Sequence, residues 1–291
     1  MTTQVKPTHT AVGLELVRKL AQEGNRLFTI GQARALAPSV GLSEGYLRQA
    51  LHHLVRSGWV IRVRQGLYVL PSLVPGLNPV HEFEIAMALV SPAAISHWSA
   101  LHHHGLTQQI PRKVFVLTTT QATVPRRRSI QARETEGYPV GDTHYQFVQV
   151  KPARYFGVEK VWINDIRVAM TDPERTLIDG LTMPRYCGDF AEVLQAFAAR
   201  LPLLDLDRII AYALRLDVAT AKRLGWVLES HRINPSRLRQ LEKVPIKGYR
   251  KLNPTGPAGG PYHQRWMIQE NLLSAERFSL PTLSPLVVST P

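Results

Sequence analysis

Apolar residues in the first seventy positions recur at helical spacing three times and then begin to alternate. Val12, Leu16, Val17 and Leu20 mark a helix from Ala11 to Gln22, closed by Gly24. Phe28-Thr29-Ile30 leads into a second, short helix that stops before Pro38, with Thr29 as its N-cap and Ala33, Leu36 and Ala37 on its inner face. In the third, Leu47, Ala50, Leu51, Leu54 and Val55 share one face, Ser43 stands as N-cap and Gly58 ends the helix. Beyond Trp59, Val60, Ile61 and Val63 precede Arg64-Gln65-Gly66, and Leu67 to Leu70 return, which reads as a two-stranded hairpin turning at Gly66. Three helices and a hairpin make a winged helix-turn-helix.

Pro71 to Pro79 carries prolines and a glycine and reads as a connector. The pattern therefore predicts a winged helix-turn-helix over residues 1–72, a linker over 73–80 and a mixed α/β (α+β) domain over 81–291. In that second domain His81 to Leu89 and Pro92 to His103 are expected as helices, and Val114 to Thr119 as a strand. His144 to Val150 and Val161 to Met170 are β-like. From Asp172 the chain turns helical: Asp172 caps, Pro173 takes the first turn, and Leu177 and Ile178 face inward. Phe190 to Leu201, Leu206 to Arg215 and Ala219 to Glu229 continue as amphipathic helices, and Trp266, Met267 and Ile268 pack the tail back on the domain.

The polar face of the third helix gives the first functional indication. With Leu47 and Leu54 inward, Gln49, His52 and Arg56 turn outward, flanked by Tyr46, Arg48 and His53, and past Glu44 none of these side chains is acidic. Gln and Arg carry the forked donors that match base edges in the major groove. Ser43 opens that helix, and Arg62, Arg64 and Gln65 on the hairpin would meet phosphate or the minor groove.

Charge agrees. The chain has a net charge of +13, and residues 1–72 hold nine Lys and Arg against three acids, so 9 − 3 = +6 sits in the first quarter. A single cysteine, Cys187, excludes an internal disulfide and a cysteine-based zinc site, and reads as a small, partly buried hydrophobe. No apolar run approaches the ~18 residues of a membrane span and no signal-peptide core opens the chain, so a cytoplasmic protein without membrane contact is expected.

Catalytic signatures are sparse, and neither a catalytic residue, a metal nor a cofactor is expected. His97, His102, His103 and His104 lack the i, i+4 spacing and the acid of a helical zinc site, and read as helix-end histidines pointing different ways. Asp205 and Asp207 resemble paired magnesium carboxylates but open a helix, where acids cap. Arg126, Arg127 and Arg128 form a basic loop able to bind phosphate, although three arginines in a loop are more often simply solvated.

Four stretches carry a resemblance: GWVIRVRQGLYVL at 58–70, ISHWSALHHHGLTQQIPRKVFVLT at 95–118, DPERTLIDGL at 172–181 with the following GDFAEVLQAF, and AKRLGWVLE at 221–229. Together, in this order, they resemble the AbiEi family, the antitoxins and transcriptional regulators of type IV toxin–antitoxin systems. The run His102 to His104 and the pair Cys187-Gly188 depart from that pattern. The resemblance implies a winged helix that represses its own promoter on duplex DNA, at inverted repeats. It also implies a C-terminal domain that counters a nucleotidyltransferase-like toxin without a stable complex. Arg126, Arg127, Arg128, Asp172, Arg175 and Asp179 are the candidates in that domain. Two other readings stay open: a regulator whose second domain senses a ligand, and a magnesium-dependent nuclease or nucleotidyltransferase using Asp205 and Asp207.

Overall fold

The computed structural model describes residues 9–71, 79–121 and 137–273. The chain opens with α1 (His9–Gln22), β1 (Leu27–Thr29), α2 (Ile30–Leu36), α3 (Glu44–Arg56), β2 (Ile61–Arg64) and β3 (Leu67–Val69). It continues through α4 (Glu82–Leu89), β4 (Ala93–Ile95), α5 (His97–His103), β5 (Lys113–Thr118), β6 (Tyr138–Val140), β7 (Thr143–Gln149), β8 (Val158–Ile163) and β9 (Ile166–Thr171). Helices α6 (Pro173–Thr182), α7 (Phe190–Arg200), α8 (Leu206–Leu216), α9 (Val218–Ser230) and α10 (Pro235–Glu242) follow, then short strands β10 (Arg250–Lys251), β11 (Tyr262–His263) and β12 (Ile268–Gln269). The architecture is mixed helix and sheet.

These elements form two compact units. One holds the described residues up to Ser91 together with 137–145, and the other holds Pro92–Gln121 and the chain from Gln146 onward. The division thus groups α4 and β6 with the winged module, beyond the expected boundary at the 73–80 connector, of which residues 72–78 lie outside the described residues.

In the first unit, Leu16, Val17 and Leu20 of α1, Ala33 of α2, and Leu47, Leu51 and Leu54 of α3 close one core with Phe28 and Leu70. Phe28 belongs to a strand that the sequence pattern does not announce. Residues Leu27–Thr29 pair antiparallel with β3, so the wing is a three-stranded sheet of order β1-β3-β2 rather than a bare hairpin. Three residues are too few to show alternation, and Thr29 does double duty. Its hydroxyl caps α2 from the strand's last position, and the Gln32 side chain returns the bond to the Thr29 amide at 2.8 Å.

The second unit is built on a sheet of order β7-β5-β4-β9-β8, in which β4 runs antiparallel to β5 and parallel to β9. Here the expected helix from Pro92 to His103 divides. Ala93, Ala94 and Ile95, all buried, become a central strand, and only from His97 does the helix run. Ile95 has strands on both sides, Val116 of β5 and Met170 of β9, only once those strands arrive, so tertiary pairing overrides local helix preference. The expected β-run Val161 to Met170 is a hairpin, β8 to β9, reversing at Asn164-Asp165 with Asn164 at φ 52°.

Helices α6 to α9 wrap a core of Leu177, Ile178, Phe190, Phe197, Ile209 and Leu224. Trp266 reaches into it and is fully buried. The expected return of the tail is therefore present, and it sits against a glycine: a Cβ on Gly225 of α9 would overlap the Trp266 ring. Cys187 is completely rather than partly buried, and burial pushes its thiol well above the usual range. Burial also pushes the imidazoles of His97, His104 and His231 below the usual 6.5.

Two outcomes follow. Gly225→Ala is expected to cost about 1–3 kcal/mol through overpacking, read as a lower denaturant midpoint for the second unit. An unchanged midpoint would mean the indole can slide aside. For the histidines, the folded-state values lie below the unfolded one, so the unfolded chain takes up protons first as pH falls. Their contribution is whole above 6.5 and declines below it, with a limiting slope of about 1.4 kcal/mol per pH unit for each histidine. Urea midpoints at about pH 7.5 and about pH 5.5 should separate, and His97→Gln should narrow the gap.

Candidate nucleic-acid interface

Helix α3 stands with Leu47, Ala50, Leu51 and Leu54 in the core. A 100° step per residue then directs Gly45, Gln49, His52 and Arg56 away from it, and all four are exposed. Arg48 is exposed on one flank, and half-buried Tyr46 and exposed His53 lie on the other. Tyr46, His53 and Arg56 also line a cleft of about 470 Å³ that reaches Gly13 of α1 and the half-exposed Trp59. The helix carries Glu44 as its acid, and the Arg34 guanidinium neutralises it at 3.0 Å. The outward face is consequently cationic and polar, with no uncompensated carboxylate.

Ser43 occupies the N-cap position with extended backbone but makes no side-chain capping bond. The expectation that its hydroxyl caps α3 is corrected; only its carbonyl takes part, in the ordinary first helical bond from the Leu47 amide at 3.2 Å.

The wing departs from expectation at one residue. Arg62, Arg64 and Gln65 are all exposed, yet Arg64 Nε donates to the Ala88 carbonyl at 3.3 Å, near the end of α4. Arg64, expected with Arg62 to meet phosphate or the minor groove, also makes this contact with a helix end, where a cation complements the dipole. The neighbouring Val63 carbonyl accepts from the Tyr138 hydroxyl at 2.6 Å. Burial pushes that phenol up, and the nearby Arg62 and Arg64 pull the other way. The wing is therefore braced from α4 and from β6, two elements that the sequence pattern assigns to the other domain. The register shifts between Arg62 and Arg64 at the tip, where Gly66 stands at φ 75°, and Arg62, unlike Arg64, has no hydrogen bond to α4.

The candidates of the second unit divide. Arg126, Arg127 and Arg128 lie outside the described residues. Asp172, Arg175 and Asp179 are buried within the second unit, at 6%, 1% and 1% exposure. Asp172 caps α6 by accepting from the Arg175 amide at 2.7 Å and takes the Tyr212 hydroxyl at 2.8 Å. Burial pushes its carboxyl up, while the two bonds pull it down, and the Tyr212 phenol is pushed up to about 12. Arg175 pairs with Asp179 at 3.0 Å and donates to the carbonyls of Arg154 and Phe156. None of the three offers a surface to a partner; their polarity is spent inward.

Asp205 caps α8 through the Arg208 amide at 3.0 Å, as its position at a helix start implies, and Asp207 pairs with Arg237 at 2.7 Å. His97 is buried and bonded to Ser96, His102 and His103 are exposed, and His104 meets the Thr171 carbonyl at 2.8 Å. The four histidines point different ways. Among the described residues no group of three or more His, Cys, Asp or Glu side chains could hold a metal ion, and no helix is long and apolar enough to cross a membrane.

Comparison with solved structures finds the crystal structure of the RV2827C protein from Mycobacterium tuberculosis. It is 13% identical with a TM-score of 0.69, covering 94% of this chain and 95% of that one. At this identity the likeness speaks for the fold, and it extends over both units. Comparison with curated protein sequences gives no match. A family model described as transcriptional regulator, AbiEi antitoxin, matches residues 15–71, the span from α1 through the wing. Over that module the chain is similar to the AbiEi antitoxin family of transcriptional regulators.

Proposed function

We propose that the protein is a sequence-specific repressor of its own promoter and the antitoxin of a type IV system, countering a nucleotidyltransferase-like toxin without a stable complex. The observation that carries the first half is the outward face of α3. Gln49, His52 and Arg56 are exposed in a row on a rigid helix whose acid is already neutralised. Such a helix enters the major groove, where Gln reads adenine and Arg reads guanine through paired hydrogen bonds. Arg62 on the wing then meets phosphate, which fixes register without reading sequence. The second half rests on the family of the module and on the sequence stretches of the second domain that resemble the same antitoxins.

Reader and anchor separate by experiment. Gln49→Ala and His52→Ala are each expected to cost about 1–3 kcal/mol on the operator and little on scrambled duplex. Arg62→Ala should weaken both about equally and lower the salt slope by about one. Binding to the two duplexes across a salt series measures this; an operator-to-scrambled ratio unchanged in both helix variants would reject α3 as the reader. For the antitoxin, Asp205→Ala with Asp207→Ala should leave toxin rescue in cells intact. The only expected loss is the capping stability of Asp205, about 0.5–2 kcal/mol. Loss of rescue in a variant that remains soluble and folded would favour a magnesium-dependent enzyme instead.

A further inference from the structure

The last described part of the second unit carries a charge pattern that neither the repressor reading nor the core requires. From Lys243 to Gln269 the chain contains Lys243, Lys247, Arg250, Lys251 and Arg265 and no acid at all. This stretch folds into the small sheet of order β10-β12-β11. In its register, Lys251 stands opposite Gln269, and Gln269 opposite Tyr262, so these three side chains share one face. Tyr249, two residues before Lys251, falls on that face too.

There the two tyrosine rings meet, centroids 4.6 Å apart and planes at 56°. Tyr262 is 60% exposed and Tyr249 38%. Two adjoining aromatic rings held against each other in solvent contribute little to the core below, which Ile268 and Leu252 already fill. Around them the carboxylates are taken. Glu229 and Glu242 both hold Arg265, and Glu270 accepts from the Trp226 indole at 2.7 Å. Lys247 and Arg250 are exposed on either side of Tyr249 in the chain. Arg250 starts from the opposite face, across from Ile268, and its Nη1 donates back to the Tyr249 carbonyl at 3.3 Å. Among the described residues neither cation has a carboxylate partner.

We propose that this edge of the small sheet binds single-stranded nucleic acid, with bases stacking on Tyr249 and Tyr262 and the backbone phosphates meeting Lys247 and Arg250, the exposed cations that flank Tyr249 in the chain. Every base has a π-face, so paired exposed rings beside unneutralised cations suit a single strand whatever its sequence. A duplex hides those faces inside its stack. An acidic polypeptide would need the cations alone and would leave the rings unused. This inference concerns a different surface from α3 and does not rest on the repressor reading.

The test uses the full chain and fluorescence anisotropy with three probes: oligouridylate, oligothymidylate and a scrambled duplex, each of about a dozen nucleotides per strand. Polyglutamate serves as competitor. The wild type should bind at least one single strand, and preference between the two tells RNA from DNA. Tyr249→Ala with Tyr262→Ala should weaken that binding about tenfold or more while leaving the duplex unaffected. Tyr249→Phe with Tyr262→Phe should keep it, since stacking needs the ring and not the hydroxyl. Lys247→Gln with Arg250→Gln should lower the salt slope by about one to two. The proposal falls if the wild type binds no single strand, if the alanine pair binds as tightly as wild type, or if the phenylalanine pair loses binding as the alanine pair does. It also falls if polyglutamate displaces the oligonucleotide as efficiently as unlabelled strand, which would make the face a docking site for an acidic protein.

Discussion

The second unit is organised around one buried cation. Arg175 is 1% exposed, and taking a guanidinium out of water costs several kcal/mol unless its donors are matched. Here Asp179, one turn along α6, supplies the opposite charge, and the carbonyls of Arg154 and Phe156 accept from Nη1 at 2.8 and 3.0 Å. The guanidinium carbon lies 4.2 Å from the centre of the Phe156 ring, and that of Arg215 lies 4.0 Å from the same centre. These contacts force the chain between residues 154 and 157 against the helix, so closely that a Cβ on Gly157 would sit 2.7 Å from that of Arg175. Gly157, at φ 64°, is the residue that permits the approach. Through this strap the entry into β8 is fixed, and β9, its partner, delivers Asp172 back to the start of α6. Glu174 of the same helix is gripped by Arg200 and Arg208, and Thr176 by Thr171. The helix is polar in sequence and interior in fact.

That contrast explains why the surface of α3 was the more legible. In α3 the polar residues are outside and the apolar ones inside, so periodicity alone assigns Gln49, His52 and Arg56 to solvent. In α6 the pattern gives Leu177 and Ile178 inward correctly, but charge cannot tell an interior network from a surface site. Asp172, Arg175 and Asp179 were therefore expected as partner-facing candidates. What decides their burial is the carbonyl groups of a segment some twenty residues upstream, and no local rule supplies those.

The same limit governs the smaller discrepancies. Ala93-Ala94-Ile95 has helix-compatible composition and becomes a strand because β5 and β9 flank it. Leu27–Thr29 is a strand because β3 offers it an edge. Arg64 looks identical to Arg62 in sequence, and only the placement of Ala88 distinguishes a helix-end contact from a projecting cation. Caps, by contrast, were readable wherever a short polar side chain met a helix start: Thr29, Asp172 and Asp205 all bond as expected, and Ser43 alone does not.

The chain leaves the first unit at Ser91 and returns to it for residues 137–145, where Tyr138 takes the Val63 carbonyl and Tyr145 that of Glu82. During synthesis the ribosome completes α1, α3 and the wing strands long before either tyrosine exists. The three-helix core can therefore collapse early, on local contacts with short loop closures. The wing reaches its final brace only after about twice that length of chain has emerged, once a partly built second unit has intervened. The nascent chain thus has α3 and a wing held only by β1 and the Ala88 carbonyl before Tyr138 adds the last brace, when roughly half the protein has been made.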